Sequence, residues 1–308
     1  MCSLFGLIDY GKSLSAKQKN KIVAALATAC EERGTDASGI AYNSRKRLHI
    51  FKRPLAAHLM RWHIPDDTAV IMGHTRLTTQ GNAKHNYNNH PFYGSADKLF
   101  ALAHNGMLHN DKLLRTEFAL PKLKIETDSF VAVQLIEQQH ILDFTSLAFM
   151  AEQLEGSFAF TVLDEDDNLY FVKGDNPLCI YHYPKLGLYL YASLESLLSK
   201  ALKMLPYNLG QLERIDLICG EIMCIDKQGN MSGVQFNTEK LFSGFNYWSG
   251  WGVYHYPFAE QSADKKQYIE ELKAAAPGYG ITADDIDDWL AQGFFAEEIE
   301  EMLYYSRI

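Results

Sequence analysis

Four short apolar segments follow one another between residues 157 and 193, and they constrain the fold more than any other feature of the chain. They read SFAFTVLD (157–164), LYFVKG (169–174), LCIYHY (178–183) and GLYLYAS (187–193). Each has the length and composition of a β-strand, and the turns between them are short. Strands joined by short turns pair as antiparallel neighbours, so we predict antiparallel sheets rather than βαβ winding.

Helical patterns alternate with further strand-like segments over the first 237 residues. A capping box at Ser15–Gln18 predicts a helix that follows it, and two more helices are expected at 127–140 and 145–154. Strands are predicted at 3–9, 38–42, 47–51, 69–75, 99–106 and 220–226. The fold class is therefore α+β, with helices covering antiparallel sheets in a layered sandwich.

The composition excludes several classes of protein. Five cysteines in 308 residues show no CxxC spacing, which argues against a disulfide framework and a structural zinc site. The net charge of −9 disfavours general binding to nucleic acid. No stretch approaches the roughly 18 apolar residues of a membrane span, and the start does not read as a secretory signal. We expect a cytoplasmic protein.

Charge and aromatic content divide the chain into three parts. Residues 264–308 hold eleven acidic and four basic side chains, so we predict an acidic helical module at 263–308. The segment 242–258 is rich in aromatic residues and glycine, which favours docking on its own body or on a partner. The predicted parts are a main domain at 1–237, a docking segment at 238–262 and this C-terminal module.

Cys2 stands directly behind the initiator methionine in MCSLFGLIDY. Removal of Met1 would leave a thiol nucleophile and a free α-amino base on one residue. The alternative is a small residue at a chain end with no chemical role.

Two stretches could hold charged groups of a ligand. GHTRLTTQG at 73–81 offers the Arg76 guanidinium for a carboxylate and the Thr79 hydroxyl as a donor; the alternative is a surface arginine at a strand end. In ETDSF at 126–130, Asp128 is either a helix cap or a carboxylate for an ammonium group.

LAHNGMLHN at 102–110 places Asn105 beside Gly106. The side-chain amide and the backbone N–H could form an oxyanion hole, or the pair could make a hairpin turn. His74, His85, His90, His104 and His109 fall close together in sequence but lack metal-binding spacing, so no metal site and no cofactor are predicted.

Taken together, these stretches resemble the class II glutamine amidotransferases. The motifs MCSLFG, RGTDASGIA, GHTRLTTQG, NNHPF, AHNGMLHN and ETDSF occur in the order of that family, and the resemblance covers about residues 2–237. The glutaminase domains of glucosamine-6-phosphate synthase and PRPP amidotransferase are the most similar branch. The resemblance implies a four-layer αββα sandwich of the N-terminal-nucleophile hydrolase type.

The resemblance also implies roles for individual residues. Cys2, freed by removal of Met1, would attack the side-chain amide of glutamine and form a thioester. Asn105 and Gly106 would hold the oxyanion, and Asp128 would bind the α-ammonium group. The α-carboxylate would be bound by Arg76 and Thr79, with Arg33 and His90 as supporting residues.

The chain departs from the family pattern in two respects. Leu77 stands where many relatives carry an aromatic residue after the arginine. About 70 residues follow residue 237, too few for a sugar-isomerase, phosphoribosyltransferase or synthetase domain. We therefore expect a glutaminase that passes ammonia to an acceptor enzyme on a separate chain, docked through residues 242–308. An autonomous amidohydrolase of γ-glutamyl compounds and a non-catalytic glutamine sensor are the alternatives.

Overall fold

The computed structural model describes residues 2–241 and, in the C-terminal part, 269–270, 272–273, 276–279, 281–291 and 299. The chain divides into two compact units, Met1–Ser243 and Gly244–Ile308.

The described residues of the first unit form two antiparallel sheets. The strands are β1 (Ser3–Asp9), β2 (Ala37–Ser44), β3 (Arg47–Arg53), β4 (Val70–Arg76), β5 (Phe92–Ser95), β6 (Leu99–Leu108), β7 (Gly156–Asp164), β8 (Leu169–Lys173), β9 (Cys179–Tyr183), β10 (Leu188–Ala192), β11 (Glu213–Ile215), β12 (Glu221–Ile225) and β13 (Met231–Gln235). The seven-stranded sheet has the order β11-β9-β10-β1-β4-β2-β3, and the six-stranded sheet has the order β13-β12-β8-β7-β6-β5. The predicted antiparallel α+β class is confirmed.

Helices cover the two sheets. They are α1 (Ala16–Cys30), α2 (Asp111–Glu117), α3 (Phe130–Gln138), α4 (Phe144–Gln153) and α5 (Glu195–Met204). Helix α1 contacts β1 and β4, and α5 contacts α1 and β10, whereas α3 and α4 contact strands of the other sheet. The predicted capping box is present: Ser15 accepts from the Gln18 N–H, and the Gln18 side chain accepts from the Ser15 N–H.

An apolar layer fills the space between the sheets. Leu4 and Tyr191 from one sheet and Ala159 and Phe171 from the other belong to one buried cluster. The rings of Phe171 and Tyr191 meet edge to face with centroids 5.0 Å apart. A second apolar cluster joins the six-stranded sheet to α2, α3 and α4. The order of layers is thus helix, sheet, sheet, helix.

The second unit contains α6 (Ala283–Ala291). Thr282 and Asp285 cap its start reciprocally, and Ile286 packs in an apolar cluster with Ile269 and Leu272. The predicted aromatic segment 242–258 lies outside the described residues. Within the part of the chain that is described, no helix has the length and apolar character required to cross a membrane.

A buried ion pair connects α1 to the end of β1. Lys19 and Asp9 are 3% and 0% exposed, and their Nζ and Oδ2 atoms lie 3.2 Å apart. Lys19 also donates to the Thr68 carbonyl oxygen at 2.5 Å, while the Ser13 N–H donates to Asp9. The pair therefore fixes helix α1 against the strand that follows Cys2.

Removing one partner of this pair should destabilise the first unit strongly. We expect Lys19→Met to lower the free energy of unfolding by about 3–5 kcal/mol, because Asp9 would remain buried without its counter-ion. Urea denaturation measures the change. Lys17→Met, at an exposed position of the same helix, should stay within about 0.5 kcal/mol of the parent chain. Equal unfolding midpoints for the two variants would contradict this role.

Candidate active site

The pairing of β1 with β4 determines where Cys2 lies. Ser3 is opposite Thr75 and Leu4 is opposite His74, so the residue before β1 reaches the end of β4. There the Cys2 thiol donates a hydrogen bond to the Leu77 carbonyl oxygen, with 3.5 Å between Sγ and O. The register of one strand pair thus brings Cys2 beside the GHTRLTTQG stretch.

Cys2 lines a pocket together with side chains from the end of β4 and from the segment before α3. Six of the eight residues predicted from the sequence line it: Cys2, Arg76, Thr79, His90, Gly106 and Asp128. Five further lining residues were not assigned a role in the site from the sequence: Leu77, Gln80, His104, Thr127 and Ser129. All five lie within the GHTRLTTQG, AHNGMLHN and ETDSF motifs that signalled the site, beside residues already chosen.

Arg33 and Asn105 are near the pocket but are not among its lining residues. Arg33 donates from Nε to the Cys2 carbonyl oxygen at 3.1 Å, so it holds the backbone of the nucleophile candidate. Asn105 is fully buried, and neither its side-chain nitrogen nor its side-chain oxygen has a hydrogen-bond partner among the described residues. An unpaired buried amide is costly and is a feature of sites that bind a ligand.

Asn105 and Gly106 lie within β6, so the hairpin-turn alternative is wrong. They pair with Ala159 and Phe158 of β7. Gly106 has φ of 139°, and a Cβ atom there would lie 2.0 Å from the Ser157 carbonyl oxygen. Glycine is therefore required at this position both by backbone conformation and by lack of space.

Arg76 is buried rather than a surface arginine. It is 3% exposed, and its guanidinium donates to Asn89 Oδ1 at 2.6 Å and to the Gln80 carbonyl oxygen at 2.5 Å. Gly34 permits the backbone to approach closely, since a Cβ atom there would lie 2.4 Å from the Arg76 carbonyl carbon. Thr79 is exposed and lines the pocket on the same loop.

Asp128 does not cap a helix. Helix α3 begins two residues later, with Ser129 at its N-cap position and no side-chain capping bond. Asp128 is 4% exposed, and its Oδ2 accepts from the Leu108 N–H at 2.7 Å. Its carboxylate is thus fixed at the pocket by a strand, and it forms part of the lining.

Three buried histidines surround this arrangement. The rings of His74 and His90 have centroids 4.3 Å apart, and the His74 Nε2 contacts the His104 carbonyl oxygen at 2.9 Å. Burial lowers the pKa of His74 to about 3 and also lowers the pKa of His90 and His104. The three rings are therefore uncharged at neutral pH. No group of three metal-ligating side chains occurs among the described residues.

Lys52 on β3 supports the site and was missed in the sequence, where it sits in an ordinary strand pattern. Its ammonium group donates to the carbonyl oxygens of Asn89 and Pro91, at 2.5 and 2.8 Å. Burial lowers its pKa to about 8. Because Asn89 accepts from Arg76, Lys52 holds in place the segment that orients this arginine.

With the histidines neutral, Arg76 and Asp128 are the charged side chains of the lining. One cation and one anion beside a thiol suit a small ligand that carries both a carboxylate and an ammonium group. Burial raises the pKa of the Cys2 thiol, and the positive charge of Arg76 opposes this change. The thiol therefore needs a base, or an increase in pH, to become a nucleophile.

Comparison with known proteins identifies related chains. Residues 74–199 match a family model described as a glutamine amidotransferase domain. A glutamine–fructose-6-phosphate aminotransferase (isomerizing) of Geobacillus kaustophilus is 33% identical over 189 residues, covering 58% of this chain and 30% of the relative. The corresponding protein of Sulfolobus acidocaldarius is 28% identical over 239 residues, covering 75% of this chain and 39% of the relative.

A solved structure shares the fold. The glutamine PRPP amidotransferase of B. subtilis superposes with a TM-score of 0.61 at 20% identity, over 77% of this chain and 49% of that protein. The chain thus spans about a third of the length of the curated relatives it matches and about half of this structural neighbour.

The reactivity of Cys2 should report its environment. We expect alkylation of Cys2 by iodoacetamide to rise with pH to a midpoint above 9.0, the ordinary thiol pKa, because burial disfavours the thiolate. Arg76→Met should shift the midpoint further upward by removing a nearby positive charge. Peptide-resolved mass spectrometry over a pH series measures both values. A Cys2 midpoint below 9.0, or one unmoved by Arg76→Met, would contradict the electrostatic account.

Proposed function

We propose that this chain, which belongs to the class II glutamine amidotransferases, hydrolyses the side-chain amide of glutamine to glutamate and ammonia. The observation that carries the proposal is the pocket in which a thiol, a guanidinium and a carboxylate meet, at Cys2, Arg76 and Asp128. Free glutamine offers a partner for each: an amide carbon, an α-carboxylate and an α-ammonium group.

The first step requires Cys2 as the N-terminal residue. Its α-amino group, with an ordinary pKa of about 7.7–8.0, accepts the thiol proton directly or through a water molecule. The thiolate sulfur then attacks the carbon of the glutamine side-chain amide. Since burial disfavours the thiolate, a base on the same residue is the economical way to generate it.

Negative charge develops on the amide oxygen during this attack. Two donors are proposed to stabilise it, the side-chain amide of Asn105 and the N–H of Gly106. The Asn105 amide has no partner among the described residues, so it can donate without breaking an existing bond. Pairing in β6 holds both residues rigidly, which keeps the donors oriented.

Collapse of the tetrahedral intermediate breaks the carbon–nitrogen bond. The leaving nitrogen takes the proton held by the α-amino group and departs as ammonia, leaving a thioester on Cys2. A water molecule then attacks the thioester carbon, the sulfur leaves, and glutamate is released. No oxidant, reductant or metal is needed for this balance.

Substrate binding is assigned to the charged groups of the lining. Arg76 binds the α-carboxylate, with Thr79 as an additional donor, and Asp128 binds the α-ammonium group. Arg33 supports the reaction by holding the backbone of Cys2, and His90 forms part of the uncharged wall beside Arg76. A ligand without either charged group should therefore bind weakly.

The ammonia is proposed to pass to an acceptor enzyme on a separate chain. The relatives named above are longer than this chain and carry the word aminotransferase in their names. We assign docking of the acceptor to residues 242–308, where the sequence is aromatic and then acidic. Co-elution of glutamine-dependent amination activity with the full chain would support this assignment, and glutaminase activity eluting without any such amination would oppose it.

Loss of the nucleophile tests the glutaminase directly. In protein shown by intact mass to lack Met1, Cys2→Ala should reduce glutamate release from glutamine by at least about a thousandfold. An enzyme-coupled glutamate assay gives the rates.

Cys219→Ala is the matched control, because it removes an exposed thiol and should leave the rate unchanged. Equal release by the parent chain and Cys2→Ala would refute the proposed nucleophile. No release by either, together with no binding of glutamine, would refute the proposed substrate.

A further inference from the structure

Three buried side chains form a row at the pocket: Asp128, Ser129 and His104. They are 4%, 3% and 1% exposed, and all three belong to the lining. The Ser129 hydroxyl lies 2.8 Å from His104 Nδ1 and 3.2 Å from Asp128 Oδ1. The hydroxyl can donate one hydrogen bond and has two possible acceptors, so the direction in which it donates affects both His104 and Asp128.

The other side of the His104 ring decides this direction. His104 Nε2 lies 3.4 Å from the Ser157 carbonyl oxygen, which can only accept a hydrogen bond. Nε2 therefore carries the proton of the ring. Because burial lowers the pKa of His104, the ring is neutral and has no second proton. Nδ1 is consequently an acceptor.

The Ser129 hydroxyl then donates to His104 Nδ1, and its proton does not reach Asp128. The Leu108 N–H donates to Oδ2 of Asp128 at 2.7 Å. Oδ1 receives no proton from Ser129, although the two oxygens are only 3.2 Å apart. Although a carboxylate oxygen can accept more than one hydrogen bond, Oδ1 thus keeps its full acceptor strength for a donor from a ligand.

We propose that His104 is a positioning residue that, by accepting the hydrogen bond of the Ser129 hydroxyl, keeps Oδ1 of Asp128 a strong acceptor for the ammonium group of the ligand. This inference rests on the proposed function, in which that ligand is glutamine. His104 acts here on binding through two neighbours, and it takes no part in the attack of Cys2.

Replacing the His104 imidazole should redirect the hydrogen bond that the Ser129 hydroxyl donates. In His104→Leu, the Ser129 hydroxyl is left with Asp128 Oδ1 as its hydrogen-bond acceptor, and this bond weakens Oδ1 as an acceptor for the substrate ammonium. We expect KM for glutamine to rise about tenfold with kcat changed less than twofold, since one charge-assisted hydrogen bond of the bound state is weakened.

Two further variants separate this effect from a packing defect. His104→Asn should keep KM within about threefold of the parent, because its side-chain oxygen can accept the Ser129 proton where Nδ1 did. Adding Ser129→Ala to His104→Leu removes the competing hydroxyl and should recover most of the lost affinity. A cavity or strain caused by leucine would not be relieved by deleting a neighbouring oxygen.

The experiment combines kinetics, binding and a direct view of the ring. Steady-state kinetics on the processed chain gives KM and kcat, calorimetry in a Cys2→Ala background gives the affinity for glutamine without turnover, and thermal unfolding checks each variant. His63→Leu, at an exposed histidine in the described part of the chain, is the matched control and should change neither KM nor kcat. Nitrogen-15 spectra of labelled histidine in the parent chain should show the neutral Nε2–H tautomer of His104.

The outcomes are distinguishable. A neutral Nδ1–H tautomer would overturn the inference even if His104→Leu fails to fold. An unchanged KM in His104→Leu, or no recovery in the double variant, would also overturn it. A parent chain that neither binds nor hydrolyses glutamine would refute the proposed function and the ligand assigned to Asp128, whereas the tautomer would still decide the direction of the hydrogen bond.

Discussion

The central position of β1 in the seven-stranded sheet is the constraint on which the site depends. β1 lies between β10 and β4, and its register with β4 places the residue before it beside Arg76. A slip of one residue would turn Leu4 out of the inter-sheet layer and move Cys2 away from the Leu77 carbonyl oxygen. The same apolar packing that stabilises the sandwich therefore holds Cys2, the proposed nucleophile, in place.

Burial gives the pocket its electrostatic character. Three histidines lose their charge, and the thiol is made a weaker acid, while Arg76 and Asp128 retain specific partners that orient them. Neutral imidazole rings do not repel the Arg76 guanidinium. Three histidines can therefore be buried close to this arginine. Within the proposed function, Arg76 and Asp128 recognise the charged groups of the substrate, and Asn89 and the Leu108 N–H orient these two side chains.

Local patterns sufficed for much of the fold but not for every role. The capping box before α1 and the short apolar runs of β1 and β6 predicted those elements, because their signals lie within a few consecutive residues. The structure at Asn105–Gly106 was harder to predict, because the same two residues occur in hairpin turns and inside strands. Glycine is required there by the close approach of Ser157, which is about 50 residues away in sequence. Lys52 had no local signal, because it donates to carbonyl oxygens 37 and 39 positions away. Lys19 and Asp9 had none either, because they meet only when α1 packs against β1.

The row Asp128–Ser129–His104 illustrates the same limit at the level of hydrogen bonds. Sequence motifs placed Asp128 in the site, but the availability of one carboxylate oxygen depends on the tautomer of a histidine on another element. That tautomer is set in turn by the Ser157 carbonyl oxygen on β7. A charged residue in a pocket is therefore only a potential binding group. How strongly it binds a substrate depends on the hydrogen bonds that its neighbours already make with it.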